Sequence, residues 1–565
     1  MISIEKLDVV GRTYRHIDRY RQILTVIFKY GFGELLDQIH LENYVQFGIK
    51  KLSRELWYRA DELSSAQRLR MGLEELGPTF VKLGQLLSSR PDLIPVEYLE
   101  ELSRLQDRVP SFPYDDVREI IRDELGEYPE DIFASFDEEP LAAASIGQVH
   151  KALLDDATPV AMKIQRPDIH EIIETDLEIV THLASLVERH IEEFDILKPT
   201  KIIEEFARGI EREINYLSEA SNIERFAAHF AGDPTIVTPR VYRDLTTDRV
   251  LTMDFIDGIK VSKSDRLREE GYDLTEIARR GASLIMKQIF LHGFFHADPH
   301  PGNIYVLPDH VVCFLDFGLM GRMTRQDRED FTELIFHVVR RDETKVVESA
   351  LRLCYFDEPP DERELEKDIF GLIDEYMYLP LPEWDVSRLL RRFLGILTTH
   401  RLRLMPHQFL MMKALAALDG VGSSLDPEFD IISHGTPFVR DVYFQRFNPA
   451  RTVTDMMQTG ADYYRLIQNI PGDVSDLLKK AREGNLKIVF EHRGLEPMLD
   501  THDRISSRLS FAIVLASLII GSSLIALSDL PPKWHDIPII GIGGFIAAGI
   551  VGFGLLVSIL RRTRL

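Results

Sequence analysis

Cysteine is scarce: the 565 residues contain two, Cys313 and Cys354. Both sit in apolar runs, VVCFLDF and LRLCYF. They read as small buried hydrophobes, which argues against a disulfide framework. Positive charge is also short. The formal net charge is −24, which sets aside broad nucleic-acid binding and leaves room only for a local basic patch. The N-terminus, MISIEKLDVVGRTYRHIDRY, lacks a basic segment followed by an apolar run, so a cleaved export signal is not expected. No internal repeat or low-complexity tract is visible. Hydrophobic content of 45% is that of an ordinary globular protein. The length suggests three or four folding units.

Two long uncharged runs close the chain. LSFAIVLASLIIGSSLIALS covers 509–528 and IPIIGIGGFIAAGIVGFGLLVSIL covers 537–560. At 1.5 Å per residue, about 20 residues span about 30 Å, the hydrocarbon thickness of a bilayer. Neither run has a polar face, so a transmembrane helical hairpin is favoured over two buried helices. Its turn, 529–536, carries Trp534 as an interface anchor. Arg504 and Arg508 precede the first run, and Arg561, Arg562 and Arg564 follow the second. The positive-inside bias therefore puts both ends in the cytoplasm. Gly544, Ala548 and Gly552 recur every fourth residue, a spacing that lets two helices approach closely.

Ahead of the hairpin the texture changes several times. Residues 1–60 read as helical and partly amphipathic, with Ile23, Ile27 and Phe28 near one side. Packing on a domain is favoured there over lying on a membrane. Gly77-Pro78 punctuates a helical extension over 61–125. PLAAASIGQVHKALL and TPVAMKIQRP read as short strands joined by turns, helices return from about 169 to 227, and RVLTMDFIDG reads as another strand. After 260 the chain reads as helical to about 440, apart from two short strands around Pro308-Asp309. Residues 446–508 read as a charged helical linker.

The stretch HGFFHADPHPGNIYVLPDHVVCFLDFG, His292 to Gly318, holds two carboxylates and a carboxamide. Phosphoryl transfer needs cations around phosphates and oxygen ligands for Mg²⁺. Asp316 and Asn303 suit the metal. Asp298 would orient an incoming hydroxyl or water, or hold the polar loop together. Lys163, inside the strand pattern VAMKI, would balance phosphate charge. A helix carboxylate would hold that lysine, and Glu213 and Glu219 are both candidates. His296 and His300, four apart in a proline-rich turn, are expected to support the loop and not to bind metal.

These residues lie in motifs that resemble the UbiB (ADCK-like) family of atypical kinase-like proteins. The resemblance is carried by KLGQ at 82–85, AAASIGQVHKA at 142–152, VAMKIQRP at 160–167, EINYLSEASN at 213–222, HADPHPGN at 296–303 and DFG at 316–318. It implies an α+β, bilobal, atypical protein-kinase-like fold. The N-lobe would run over 126–258 with inserted helices and the C-lobe over 259–445, preceded by the helical extension and followed by two transmembrane helices in 509–560. Asp298 and Asn303 then match the catalytic-loop Asp and metal-binding Asn of kinases, and Asp316 the second metal ligand. Lys163 matches the phosphate lysine, with Glu219 as its partner. Ala142, Ala143, Ala144, Ser145, Ile146, Gly147, Gln148 and Val149 form the nucleotide loop, alanine-rich where kinases have glycine. Alanine disfavours positive φ, so this loop covers phosphates differently. Members usually have Ala where this chain has Gly147, a departure expected to loosen the loop.

Lys82 and Gln85 belong to the KxGQ element, which the family folds over the cleft where a peptide substrate would sit. The family's E-x-D partner reads Glu213-Ile214-Asn215 here, so the Lys82 contact is expected to rest on Glu213. Ala297 replaces the Arg of the kinase H-R-D motif, and no A-P-E follows Gly318. Both absences weigh against protein substrates. The resemblance implies a bacterial inner-membrane ATPase using ATP and Mg²⁺ in isoprenoid-quinone biosynthesis, with a cytoplasmic catalytic body. Its partners would be membrane lipid or a prenylated quinone precursor, biosynthetic enzymes, and a second copy through the hairpin. Other readings are a small-molecule or protein kinase at the same site and a nucleotide-binding scaffold without turnover.

Overall fold

In the run PVAMKIQ, Val160, Met162 and Ile164 alternate with Ala161 and Lys163, and a strand sends alternate side chains to opposite faces. In the computed structural model this run is a strand, Pro159–Gln165, whose Val160, Met162 and Ile164 are buried. The structure describes residues 4–38, 63–88, 94–105, 110–191, 198–356, 359–377, 384, 386–445, 479, 482, 496–528, 531–534 and 537–562. They fall into two units, Met1–Thr454 and Asp455–Leu565.

The first unit begins with helix α1 (Ile4–Lys29). Its Ile23 and Val26 are buried in one cluster with Leu73, Leu76, Phe80 and Ile169. Arg19 forks onto Asp176 at 2.6 and 2.9 Å and reaches the Leu76 carbonyl at 2.7 Å. The expected packing on a domain is found for α1; residues 39–60 of that segment lie outside the described residues. Helix α2 (Ser65–Leu76) starts at a capping box between Ser64 and Gln67, which satisfies two orphan N–H groups. Gly77, at φ 98°, ends it, and Pro78 opens α3 (Pro78–Ser88) with the φ that a first helical turn needs. Helix α4 (Val96–Leu102) follows.

Helix α5 (Tyr114–Leu125) covers the outer face of a five-stranded sheet, its Val117, Ile120 and Ile121 packing on Met162, Ile164 and Val250. The strands are β1 (Ser135–Phe136), β2 (Ala142–Ala143), β3 (Gly147–Leu153), β4 (Pro159–Gln165) and β6 (Val250–Asp254), in the order β1-β3-β4-β6 with β2 on β3. The β3–β4 pairing is antiparallel and sets Val149 opposite Lys163. Between β4 and β6 come helices α6 (Ile169–His190), α7 (Pro199–Glu213) and α8 (Tyr216–His229), then β5 (Ile236–Val237).

The lower lobe holds a second sheet, β5-β10-β9-β7, with β7 (Ile259–Lys260), β9 (Ile304–Leu307) and β10 (Val311–Phe314). The turn at Pro308–His310 between β9 and β10 is where the sequence put it. Strand β8 (Phe294–His296) pairs with β11 (Met320–Arg322). Helix α9 (Leu274–Met286) runs into a π turn, Lys287–His292. Six further helices complete the lobe: α10 (Arg325–Arg340), α11 (Glu343–Leu353), α12 (Glu362–Met377), α13 (Val386–Thr399), α14 (Pro406–Leu425) and α15 (Ile431–Gln445). Both cysteines are buried, as are Phe294 and Phe295 of the HGFFH run. The result is a mixed α+β, bilobal kinase-like body with N-terminal helices.

The second unit contains α16 (Glu496–Ala526) and α17 (Ile539–Arg562). Residues 496–508, expected in the linker, belong to the same helix as the first apolar run. Apart from 479 and 482, residues 446–495 lie outside the described residues. The two helices are antiparallel: Gly544 of α17 lies against Ser522 and Gly552 against Leu515. The small-residue face of α17 is therefore used within one chain, with Ala548 5% exposed. Among the described residues one stretch, Leu509–Ala526, is long and apolar enough to cross a membrane, and 6% of it is buried.

Candidate active site

Lys163 emerges from β4 on the face opposite Met162 and meets α8. Its Nζ lies 2.5 Å from Glu219 Oε1 and 3.6 Å from Asp316 Oδ1. Of the two candidate carboxylates for this lysine, Glu219 is the one that pairs with it. Burial works to strip the lysine of its proton, but the adjacent Glu219 and Asp316 carboxylates outweigh it and raise its pKa. Lys163 thus carries a fixed positive charge. Its ammonium is also the main reason that the Asp316 carboxyl is held down to about 2, with Lys82 adding to the effect. Asp316 is ringed by protein yet opens toward solvent, its side chain 58% exposed.

The same helix grips the backbone beside Asp316. Phe317 N–H donates to Glu219 Oε1 at 3.1 Å, and Asn222 Nδ2 donates to the Phe317 carbonyl at 3.0 Å. Phe317 is fully buried, edge-on to Phe226 with ring centres 5.0 Å apart. Asp316 has φ 65°, a strained value for a non-glycine residue that surrounding contacts must over-determine. Glu219 and Asn222 are three residues apart, on one face of α8. That spacing was the available signal for Asn222, which sequence reasoning passed over.

Asn303 sits at the foot of β9, where its carbonyl accepts the Leu315 N–H at 2.8 Å. It is therefore anchored one residue before Asp316. His296 joins the two loops. Its Nδ1 accepts the Asp298 N–H at 3.2 Å, while Nε2 lies 3.2 Å from the Leu315 carbonyl and donates to it. One nitrogen accepts and the other donates, so the ring is neutral. Burial pushes its pKa down accordingly. His300 Nδ1 accepts the Gly302 N–H at 3.1 Å. Both histidines support the loop. The Asp298 side chain is 46% exposed, with Lys413 Nζ of α14 3.4 Å from its Oδ1. Nothing local in the sequence signals Lys413, because helix α14 reaches Asp298 only through the tertiary fold.

The alanine loop closes as a tight turn, with Ala144 N–H donating to the Gly147 carbonyl at 2.8 Å. Residues 142–149 all have negative φ, as alanine requires. Ala142 and Ala144 are exposed, whereas Ser145 and Gln148 are buried. The Gln148 amide faces inward, accepting the Phe112 N–H at 3.0 Å and lying 2.9 Å from His150 Nε2. At Gly147, where the departure from alanine was expected to loosen the loop, the structure shows a packing role. A Cβ there would meet both the Ile164 carbonyl oxygen and Tyr216 Oη at 2.5 Å, so the glycine permits close packing of β3 over Tyr216.

Helix α3 closes one side of the cleft. Lys82 Nζ pairs with Glu213 Oε1 at 2.5 Å, and Glu213 Cγ lies 3.9 Å from where a Gly318 Cβ would stand. Asn215, where the family has Asp, caps α8 by accepting the Leu217 N–H at 3.0 Å. Gln85 Nε2 reaches the Leu105 carbonyl at 3.4 Å. Gly84, between the two motif residues, is filled around by Leu105 and Leu73.

Among the described residues, no group of three His, Cys, Asp or Glu could hold a metal. The donor set here is one ionised carboxylate, Asp316, and one carboxamide, Asn303. That set fits Mg²⁺, which keeps several waters and takes its remaining oxygens from substrate phosphates. It does not fit a transition metal that needs imidazole or thiolate.

Family models match three parts of the chain: the ABC1 atypical kinase-like domain over 104–350, the UbiB helical domain over 369–430 and the ABC1/UbiB kinase-like C-terminal domain over 493–561. The chain belongs to the ABC1/UbiB family. An uncharacterized protein encoded in the hydrogenase 1 5′ region of Clostridium pasteurianum is 32% identical, over 96% of this chain and 98% of that one. A probable protein kinase UbiB of Aeromonas hydrophila is 30% identical, over 94% of this chain and 97% of that one. The solved Rv3197–erythromycin complex from Mycobacterium tuberculosis is 24% identical with a TM-score of 0.46, covering 68% of this chain and 97% of that one. In this ABC1/UbiB chain, Lys163, Glu219, Asp298, Asn303 and Asp316 all fall in the kinase-like match, and Lys413 falls in the helical match. Membership supports a general nucleotide-binding, kinase-like role.

Proposed function

We propose that this chain is a membrane-anchored, Mg²⁺-dependent, kinase-like ATPase that supports isoprenoid-quinone biosynthesis by acting on or organising lipid precursors and biosynthetic enzymes. The observation that carries the reading is the meeting of Lys163, Glu219 and Asp316 from three separate stretches of chain. Lys163, fixed by Glu219, would hold the nucleotide's phosphates, and the turn around Ala142–Val149 would cover them. Asp316 and Asn303 would hold Mg²⁺, which would supply positive charge against that of the phosphates. Asp298 would orient the attacking oxygen, with Lys413 fixing the carboxylate. Lys82, strapped to Glu213, would keep α3 against the cleft. The helices α16 and α17 would form two membrane spans with both ends cytoplasmic, which holds the body beside a precursor with a long apolar tail.

The purified full chain, with Mg²⁺ and ATP in the presence of anionic lipid and a phenolic precursor analogue, should release phosphate. Asp316→Asn should remove the Mg²⁺ dependence of nucleotide affinity and stop turnover. No phosphate release under any of these conditions overturns the ATPase reading. Deleting the gene should cause a specific prenylated intermediate to accumulate, as read by lipid mass spectrometry. An unchanged quinone pool points to a kinase for another acceptor. That second reading has support in the solvent exposure of Asp298, whose side chain an incoming acceptor could reach. Transfer of labelled phosphate to a defined acceptor, lost in Asp298→Asn, would favour it.

A further inference from the structure

Seven helices of the lower lobe, α9 to α15, line a cavity of about 420 Å³. Met286 of α9, Phe331 of α10, Ile373 of α12, Phe393 of α13, Met412 of α14 and Val439 of α15 each face it. Protein interiors are packed as densely as organic crystals and keep few voids larger than a water molecule. A cavity of this size, open at its mouth, leaves the apolar side chains deeper in it short of dispersion contacts. Water does not compensate for them, since a buried water needs two to four polar partners, and this lining is almost wholly apolar. The volume is instead in the range of ligand pockets, about 300–1,000 Å³, and toward the lower end of it.

Two of the lining residues are charged, and both are arginines. Arg340, at the end of α10, and Arg440, on α15, line the cavity and are exposed. Among the described residues neither is paired with a carboxylate, and Arg340 only covers the ring of Phe336, 4.6 Å from its centre. In a chain of net charge −24, two unpaired guanidiniums at an apolar mouth are a recognition feature for an anion. Val339 and Phe444 flank them and are exposed, at 43% and 60%.

We propose that this cavity binds a single-chain anionic amphiphile, its hydrocarbon chain inside and its carboxylate or phosphate head on Arg340 and Arg440. The site lies apart from the Lys163–Asp316 cleft, and its occupancy can be tested whether or not the chain hydrolyses ATP. Helix α14 touches both places, with Met412 and Leu415 at the cavity and Lys413 on Asp298.

Trp384 lines the cavity and serves as the probe. With Trp57 and Trp534 replaced by Phe, the full chain in phosphatidylcholine nanodiscs retains Trp384 as its one tryptophan. Titration with 12-bromododecanoic acid should quench Trp384 fluorescence saturably. Arg340→Gln combined with Arg440→Gln should raise the half-saturating concentration about tenfold, as should replacing the acid by 12-bromododecanol. Gly435→Leu, whose Cβ would point at Met286 from 3.2 Å, should fill the space and abolish quenching. The arginine variants change exposed residues and keep the test valid if the filled variant misfolds. No saturable quenching overturns the proposal, as does equal quenching by the alcohol or in the arginine variants. Quenching by brominated phosphatidylglycerol at the same level as by the free acid would assign the cavity to a bilayer phospholipid and overturn the single-chain ligand.

Discussion

At the scale of single residues, the site is built on an asymmetry between making and breaking a buried ion pair. Glu219 is 4% exposed, and burial raises its pKa even beside Lys163. Removing the lysine leaves that carboxylate without its counter-charge. Lys163→Ala should therefore cost about 3–5 kcal/mol of stability at pH 8, besides abolishing turnover. In the variant the folded carboxyl binds its proton more tightly than the unfolded one, so stability falls as pH rises. Chemical denaturation at pH 5 should accordingly show a smaller loss, and Lys163→Ala with Glu219→Gln should regain most of it while staying inactive. Asp298 and Lys413 make a second pair, at 3.4 Å. Asp298→Asn should lower turnover by about 10²–10⁴-fold, the range for a positioned proton acceptor. Lys413→Met should lower it less, with KM for MgATP unchanged, and Lys413→Arg should restore most of the rate. A Lys413→Met protein with full kcat would remove that residue from the site.

At the scale of elements, glycines in two motifs are required by space and not by φ. Gly147 lets β3 pass over Tyr216. Gly147→Ala should destabilise the body by about 1–3 kcal/mol through overpacking. Tyr216→Phe in the same chain should recover part of that, because it removes one of the two clashing oxygens. A melting temperature unchanged by Gly147→Ala would show that β3 has room to shift. Gly84 plays the same part in α3, where Leu105 and Leu73 close over it. Helix α8 is the element on which most of the geometry depends. It supplies Tyr216, Glu219 and Asn222, and so fixes Lys163 and the Phe317 peptide from one rigid surface.

At the scale of the whole molecule, four histidines among the described residues, His150, His229, His292 and His296, have pKa values lowered, in each case chiefly by burial. A histidine with a depressed folded pKa binds fewer protons in the native state than when unfolded. Its contribution to stability is present above about pH 6.5, the ordinary histidine value, and is lost as pH falls. Stability should therefore decline on acidification below that point, and His296→Gln should shallow the slope. The apolar end of the chain predicts a second bulk property. The full chain should stay in the membrane pellet through an alkaline carbonate wash, and a chain ending at 495 should not. Retention of the shortened chain would place the membrane attachment elsewhere.

The strand alternation that turns Lys163 away from Met162, the punctuation at Gly77-Pro78 and the two apolar runs were all legible in the sequence, because each is a local rule of backbone geometry or burial. The five-residue interval from Asp298 to Asn303 was legible too, as a spacing along the chain. The choice of Glu219 over Glu213 for Lys163 came from the family resemblance and not from a local rule, because the two glutamates lie on different helices and only packing decides which one meets the lysine. The reach of Lys413 to Asp298, the tight fit at Gly147 and the cavity under α14 likewise arise from contacts between distant segments. Local sequence determines which elements form and which face each buries. Which side chains then meet depends on how those faces pack, and this is a property of the assembled chain.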